Sequence, residues 1–135
     1  ALSPNKSITD SELSAAKDIF CGLGKAEIVP EHLMDAVTAV SGSSPAYVFM
    51  LIEAMADAAV EAGMPRAQSY TFAAQAVLGS AKMALELGKH PGELKDMVCS
   101  PAGTTIAAVK VLENDGFRAA IMNAMEACVK RSQTL

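Results

Sequence analysis

A chain of 135 residues fits one ordinary domain and is long enough to bury a core. Hydrophobic residues make up 51% of it, aromatic ones only 4%, and the net charge of −4 leaves no basic footprint for nucleic acid or an anionic membrane surface. Cys21, Cys99 and Cys128 have no short paired spacing and only His32 and His90 to join them, so neither a metal site nor a disulfide framework is expected; with no signal-peptide pattern at the start, the chain reads as cytoplasmic.

Residues 1–8, beginning Ala-Leu-Ser-Pro-Asn-Lys, read as a linker, and the start at Ala1 suggests a piece of a longer protein. Thr9 and Glu12 form a capping-box pattern, with Ile8 and Leu13 placed for a hydrophobic staple. The helix they start is expected from about Asp10 to Phe20, stopping near Gly22 or Gly24. Gly22-Leu23-Gly24 resembles the opening of a dinucleotide fingerprint. It lacks the third glycine and follows a helix rather than a strand, so it reads as a helix stop.

Lys25 to Pro30 alternates enough for a short extended piece, and Glu31 to Val40 places Leu33, Met34, Val37 and Val40 at helical spacing. Ser41-Gly42-Ser43-Ser44-Pro45 is expected to break the chain, with Ser44 as N-cap and Pro45 as first residue of the next helix. That helix runs to Ala62, before Gly63 and Pro65. It is greasy enough to raise the question of a membrane span, but Glu53, Asp57 and Glu61 recur every four residues and form one polar stripe. The rest of its circumference, with Val48, Phe49, Met50, Leu51, Ile52 and Met55, is too apolar for a small domain's surface.

The next helix, Arg66 to Leu87, ends at Gly88 and competes for the same cover through Phe72, Ala73, Ala76, Val77 and Leu78. A second copy of the chain would supply it, so a homodimer is expected. His90-Pro91 opens a short helix to about Val98, with His90 capping its own turn. After a second break at Ser100-Pro101-Ala102-Gly103-Thr104, helices follow to about Asn114 and from Phe117 to Arg131. The fold class is therefore all-α, a bundle of six or seven helices, with no internal repeat.

Catalytic constellations are thin. No phosphate-binding loop, nucleophile elbow or metal-binding histidine pair is present. One site remains: Ser100-Pro101-Ala102-Gly103-Thr104-Thr105 leads straight into the apolar periodicity of Ile106, Val109 and Leu112. The first N–H groups of that helix lack internal partners and carry the positive end of its dipole. Gly103 permits close approach, and Ser100, Thr104 and Thr105 offer hydroxyls, which together suit a small carboxylate or phosphate. An ordinary Ser/Thr cap is the plainer reading of the same residues.

Asp35-Ala36-Val37-Thr38, Ser41-Gly42-Ser43-Ser44-Pro45-Ala46-Tyr47, Gly63-Met64-Pro65-Arg66 and Gly79-Ser80-Ala81-Lys82-Met83 recur in order with His90-Pro91-Gly92-Glu93-Leu94-Lys95-Asp96 and Ser100-Pro101-Ala102-Gly103-Thr104-Thr105-Ile106. Over essentially its whole length the chain resembles the C-terminal half of pyrroline-5-carboxylate reductases. The resemblance implies the last step of proline biosynthesis, reduction of 1-pyrroline-5-carboxylate to L-proline with NADPH or NADH. It implies an interlocked homodimer, commonly assembled further into decamers, with each active site shared between subunits. It also implies a nucleotide-binding Rossmann domain that this chain does not contain, residues 1–8 being the linker from it and 9–135 the dimerisation and substrate domain. The fragment alone should then bind no nucleotide and turn nothing over.

By position, the resemblance implies that N–H groups of Gly103, Thr104 and Thr105 hold the substrate carboxylate with Ser100 assisting, and that the Thr105 hydroxyl lies near the ring nitrogen. Thr38 and Ser43 match positions at the edge of the active site. No residue of this chain is expected to act as acid or nucleophile, since hydride transfer needs orientation more than proton chemistry. Two positions depart from the family pattern: Ser44, a harmless helix start, and Ala102, where the family usually has glycine. If that glycine needs a positive φ, alanine costs roughly 1 kcal/mol or more. The alternative function is a stand-alone helical dimerisation module whose capped turn binds nothing; a weaker one is a carrier for another small anion.

Overall fold

A computed structural model describes residues 1–134 and places seven α-helices among them, one only a single turn long. Leu135, the last residue of the expected domain over 9–135, lies outside the described residues. The first helix, α1 (Asp10–Cys21), starts where its cap predicts: Thr9 N–H donates to Glu12 Oε2 at 2.9 Å and Glu12 N–H to Thr9 Oγ1 at 3.3 Å. Gly22 closes the helix in a right-handed conformation, which bears out the helix-stop reading of Gly22-Leu23-Gly24. The extended piece at 25–30 is paired: Leu2 forms an isolated parallel bridge with Ile28, through Leu2 N–H to Glu27 O at 2.9 Å and Val29 N–H to Leu2 O at 3.0 Å.

The expected helical segment over Glu31–Val40 forms, though not as one regular α-helix, and the break after it is corrected. A 3-10 turn (Glu31–Leu33) leads into α2 (Met34–Val37), then a π-helical turn (Thr38–Ser43), and then directly into α3 (Ser44–Glu61). The chain never leaves helical space here: Ser44 sits at φ −62°, ψ −22° rather than as an extended N-cap. Pro45 explains the widening. Its ring has no N–H and collides with the carbonyl four residues back in a regular α-helix, whereas a π-turn moves that carbonyl along. The hydroxyls in this stretch turn back on their own backbone, Thr38 Oγ1 donating to Met34 O at 3.0 Å and Ser41 Oγ to Val37 O at 2.9 Å, with Ser44 Oγ donating to Val40 O. Such back-bonding loosens and bends helices.

α4 (Arg66–Leu87) follows after Gly63 and Pro65, and ends at Gly88, whose left-handed φ of 62° a side chain would oppose. Asp57 near the end of α3 pairs with Arg66 at the start of α4, and the Arg66 guanidinium lies 5.5 Å from the Tyr70 ring centre. The short α5 (Pro91–Met97) is capped by His90, whose Nδ1 accepts from Gly92 N–H at 3.1 Å. α6 (Thr104–Asn114) and α7 (Phe117–Ser132) complete the set. No described helix is long and apolar enough to cross a membrane.

The chain divides into two compact units: Ala1–Ser44 together with the residues from Ala124 on, and Pro45–Asn123. In the first, the buried apolar residues are Ala26 and Ala39; in the second, Ala56 and Ala73. Every one is alanine. Larger side chains on α3 and α4 stay uncovered, with Phe49 65%, Met50 67% and Phe72 64% exposed. Small buried residues let helices approach closely, while many of the large apolar side chains stay at least partly exposed.

Candidate functional site

In the second unit, Ser100-Pro101-Ala102-Gly103 forms a tight turn closed by Gly103 N–H donating to Ser100 O at 3.0 Å. Pro101 fixes its own φ near −65°, and Ala102 adopts φ 56°, the arrangement of a type II turn, which usually places glycine at this third position. The positive φ on which the cost of Ala102 depended is therefore present. Gly103 follows in an extended conformation (φ −77°, ψ 169°) and is the N-cap of α6.

This turn leaves α6 without a side-chain cap. The plainer expectation, that a Ser or Thr hydroxyl closes the helix start, is not what the structure places here. Gly103 supplies only its carbonyl, which accepts from Ala107 N–H at 3.4 Å. The N–H groups of Thr104, Thr105 and Ile106, the first three of α6, are therefore the ones no side chain caps. The N–H of Gly103, included by position in the expected set, is spent within the turn.

Space at this point is tight on one side. A Cβ on Gly103 would stand 2.3 Å from Ser100 Oγ and 3.1 Å from Ser100 O, so the Ser100 hydroxyl occupies the room a side chain would need. Gly103 and Thr105 are half-buried and Thr104 is exposed. The result is a small edge where backbone donors, the helix dipole and hydroxyls sit next to one another.

Thr38 and Ser43 belong to the first unit, at the two ends of the π-turn. Thr38 is exposed and bonds its own backbone, whereas Ser43 is half-buried and accepts from Cys128 Sγ on α7 at 3.1 Å. One turn further along α7, Ser132 Oγ donates to Asp35 Oδ1 at 2.6 Å. Cys128, Ser132 and Asp35 were not singled out as site neighbours from sequence. The four-residue spacing of Cys128 and Ser132 marks a shared helix face, but nothing local points it at residues 85 and 97 positions away.

A cavity of about 400 Å³ in the second unit is lined by His90, Lys95, Val109, Leu112, Phe117 and Arg118, among others, and by none of the turn residues. Its charges are already matched: Arg118 pairs with Glu113 at 2.7 Å and Lys95 with Asp96 at 2.6 Å, a bond that holds the Lys95 ammonium above its usual value. Among the described residues no group of three or more His, Cys, Asp or Glu could hold a metal ion, and the three cysteines are unpaired.

A family model described as pyrroline-5-carboxylate reductase dimerisation matches residues 31–135. The chain belongs to that family. The pyrroline-5-carboxylate reductase of Escherichia coli strain K12 is 60% identical over 135 residues, which is 100% of this chain and 50% of the relative. Among solved structures, the pyrroline-5-carboxylate reductase of Coxiella burnetii superposes with a TM-score of 0.93 at 34% identity, covering 98% of this chain and 49% of the other. That of Plasmodium falciparum, solved with NADP bound, gives 0.84 at 35% identity, covering 96% of this chain and 50% of its own. The chain spans about half the length of the curated relatives it matches. The all-helical class expected from periodicity and punctuation is thus that of the pyrroline-5-carboxylate reductase dimerisation family.

Proposed function

We propose that this chain is the half of a pyrroline-5-carboxylate reductase that joins two subunits and holds the substrate by its carboxylate, in the final reduction that makes L-proline. The observation that carries the site is the uncapped start of α6, where the turn through Ala102 and the bare Cα of Gly103 leave Thr104, Thr105 and Ile106 N–H groups without a side-chain acceptor. A carboxylate placed there completes those donors and meets the positive end of the helix dipole. Ser100 and the Thr105 hydroxyl lie beside it, the latter toward the ring nitrogen. Thr38 and Ser43, at the two ends of the π-turn, are assigned to the edge of an active site by their match to the family pattern.

Reduction needs NADPH or NADH, and the described residues do not fit a dinucleotide: Gly22-Leu23-Gly24 closes a helix, no strand precedes it, and Gly22 is right-handed. The nucleotide is therefore assigned to a Rossmann half outside this chain, and this chain alone is expected to be inactive. What these residues do is bind and orient. Exposed Phe49, Met50 and Phe72 support a second copy as the partner, as a homodimer that can assemble further. Three free cysteines fit a cytoplasmic setting.

The test is Thr105→Val in the full-length reductase. Losing one hydroxyl beside the substrate should raise KM for 1-pyrroline-5-carboxylate about five- to tenfold, the factor for one hydrogen bond of ordinary net strength. An unchanged KM would leave a helical dimerisation module with an idle turn.

A further inference from the structure

We infer that the end of α7 is a positioning strut for the substrate site: Cys128 and Ser132 together hold the π-turn that carries Thr38 and Ser43. This rests on the reading above, in which those two residues lie at the edge of the active site. The two donors are four residues apart on one face of α7, and they grip the turn at both flanks. Cys128 Sγ donates to Ser43 Oγ at 3.1 Å, and Ser132 Oγ donates to Asp35 Oδ1 at 2.6 Å, just before the turn begins. All four side chains are half-buried, and Ala39 inside the turn is 0% exposed.

A π-turn is a rare conformation that survives where its surroundings over-determine it, and such turns gather at functional sites. This one has an evident need for support, because its own hydroxyls do not supply it. Thr38, Ser41 and Ser44 all bond carbonyls four residues back in the same segment. Ser43 is the exception, with a partner from another element. At the other flank, the bond to the Asp35 carboxylate is charge-assisted and the stronger of the two. Neither Cys128 nor Ser132 needs to touch substrate for this role.

The experiment uses the full-length reductase with Cys128→Ala and Ser132→Ala combined. KM for 1-pyrroline-5-carboxylate is expected to rise about tenfold, less than two full hydrogen bonds would give because their loss reaches the substrate only through the turn, while kcat stays within about threefold and the nucleotide KM is unmoved. Cys128→Ser with Ser132→Thr keeps both donors and should bring the substrate KM back to within about twofold of the parent. General loosening of the fold would not produce a substrate-only change reversed by restoring two O–H groups. Thr105→Val is measured alongside. If it is impaired while the alanine pair binds substrate normally, the strut is wrong and the carboxylate site stands. An alanine pair and a conservative pair that are equally impaired also overturn it. If neither Thr105→Val nor the alanine pair moves KM, the substrate reading itself fails and takes the strut with it. Should the alanine pair fold poorly, Cys128→Ala alone is held to the same criteria with an expected rise of about threefold.

Discussion

Ala102→Gly should stabilise this protein without improving its affinity for substrate. Ala102 holds φ 56° at the third position of the turn before α6, and it is exposed, so little but backbone conformation changes with the substitution. A left-handed non-glycine residue is strained by roughly 1–2 kcal/mol. Glycine relieves that strain but frees the unfolded chain, which returns roughly 0.4–1 kcal/mol. The net gain is about 0.5–1 kcal/mol. With an unfolding entropy of about 2.1 cal/mol/K per residue, a chain of 135 residues should melt about 2–4 °C higher. In a dimer both the gain and the entropy double, so the shift is the same. The assay is a thermal melt of both proteins at one protein concentration, since the melting point of an assembly depends on it. Substrate KM in the full-length enzyme should be unchanged, because alanine already adopts the turn that glycine would. A melting point equal to or below the parent's would refute the strain, and a several-fold fall in KM would show that alanine distorts the turn rather than merely straining it.

Three further outcomes follow from the same structure. Gly103→Ala places a Cβ 2.3 Å from Ser100 Oγ and should cost about 1–3 kcal/mol in a melt; pairing it with Ser100→Ala should recover most of that loss, and simple additivity of the two would count against the clash. Glu12 is held below its ordinary carboxylate value of 4.5, first by the Thr9 N–H and then by its hydroxyl, so its contribution is complete above that value and disappears as pH falls through the lowered one. Amide protection in α1 should therefore drop at acid pH in the parent and show no such step in Glu12→Gln. Light scattering over a range of concentrations should give a dimer or a multiple of dimers, and Phe49→Ser with Met50→Ser should shift it toward monomer; a parent that stays monomeric and folded would remove the partner subunit from the site.

Local signals carried most of this fold. α4 spans Arg66–Leu87 and α6 starts at Thr104, as Pro, Gly and apolar spacing indicated, and the capping box at Thr9 and the His90 cap both form. All of these depend on neighbours within a few residues. The errors cluster where a residue pattern has two physical outcomes. Ser41-Gly42-Ser43-Ser44-Pro45 has the composition of a loop, yet a helix can also absorb a proline by widening, and here buried Ala39 and the distant partners of Ser43 and Asp35 accompany that outcome. The bridge from Leu2 to Ile28 and the bond from Ser132 to Asp35 link distant segments, and no periodicity announces such pairs. At the turn before α6 the hydroxyls suggested a capped helix. What the sequence could not reveal is that Gly103 occupies the cap and that its own N–H is used in the turn.

The alanine interior has a consequence for how the protein exists at all. Burying an alanine withdraws little area from water, and many of the larger apolar side chains are only partly covered within one copy, so a single copy leaves part of its hydrophobic term unrealised. Any second copy that covers this surface therefore adds to the stability of each by mass action. The melting point of such an assembly falls on dilution, so abundance as well as temperature sets the native fraction.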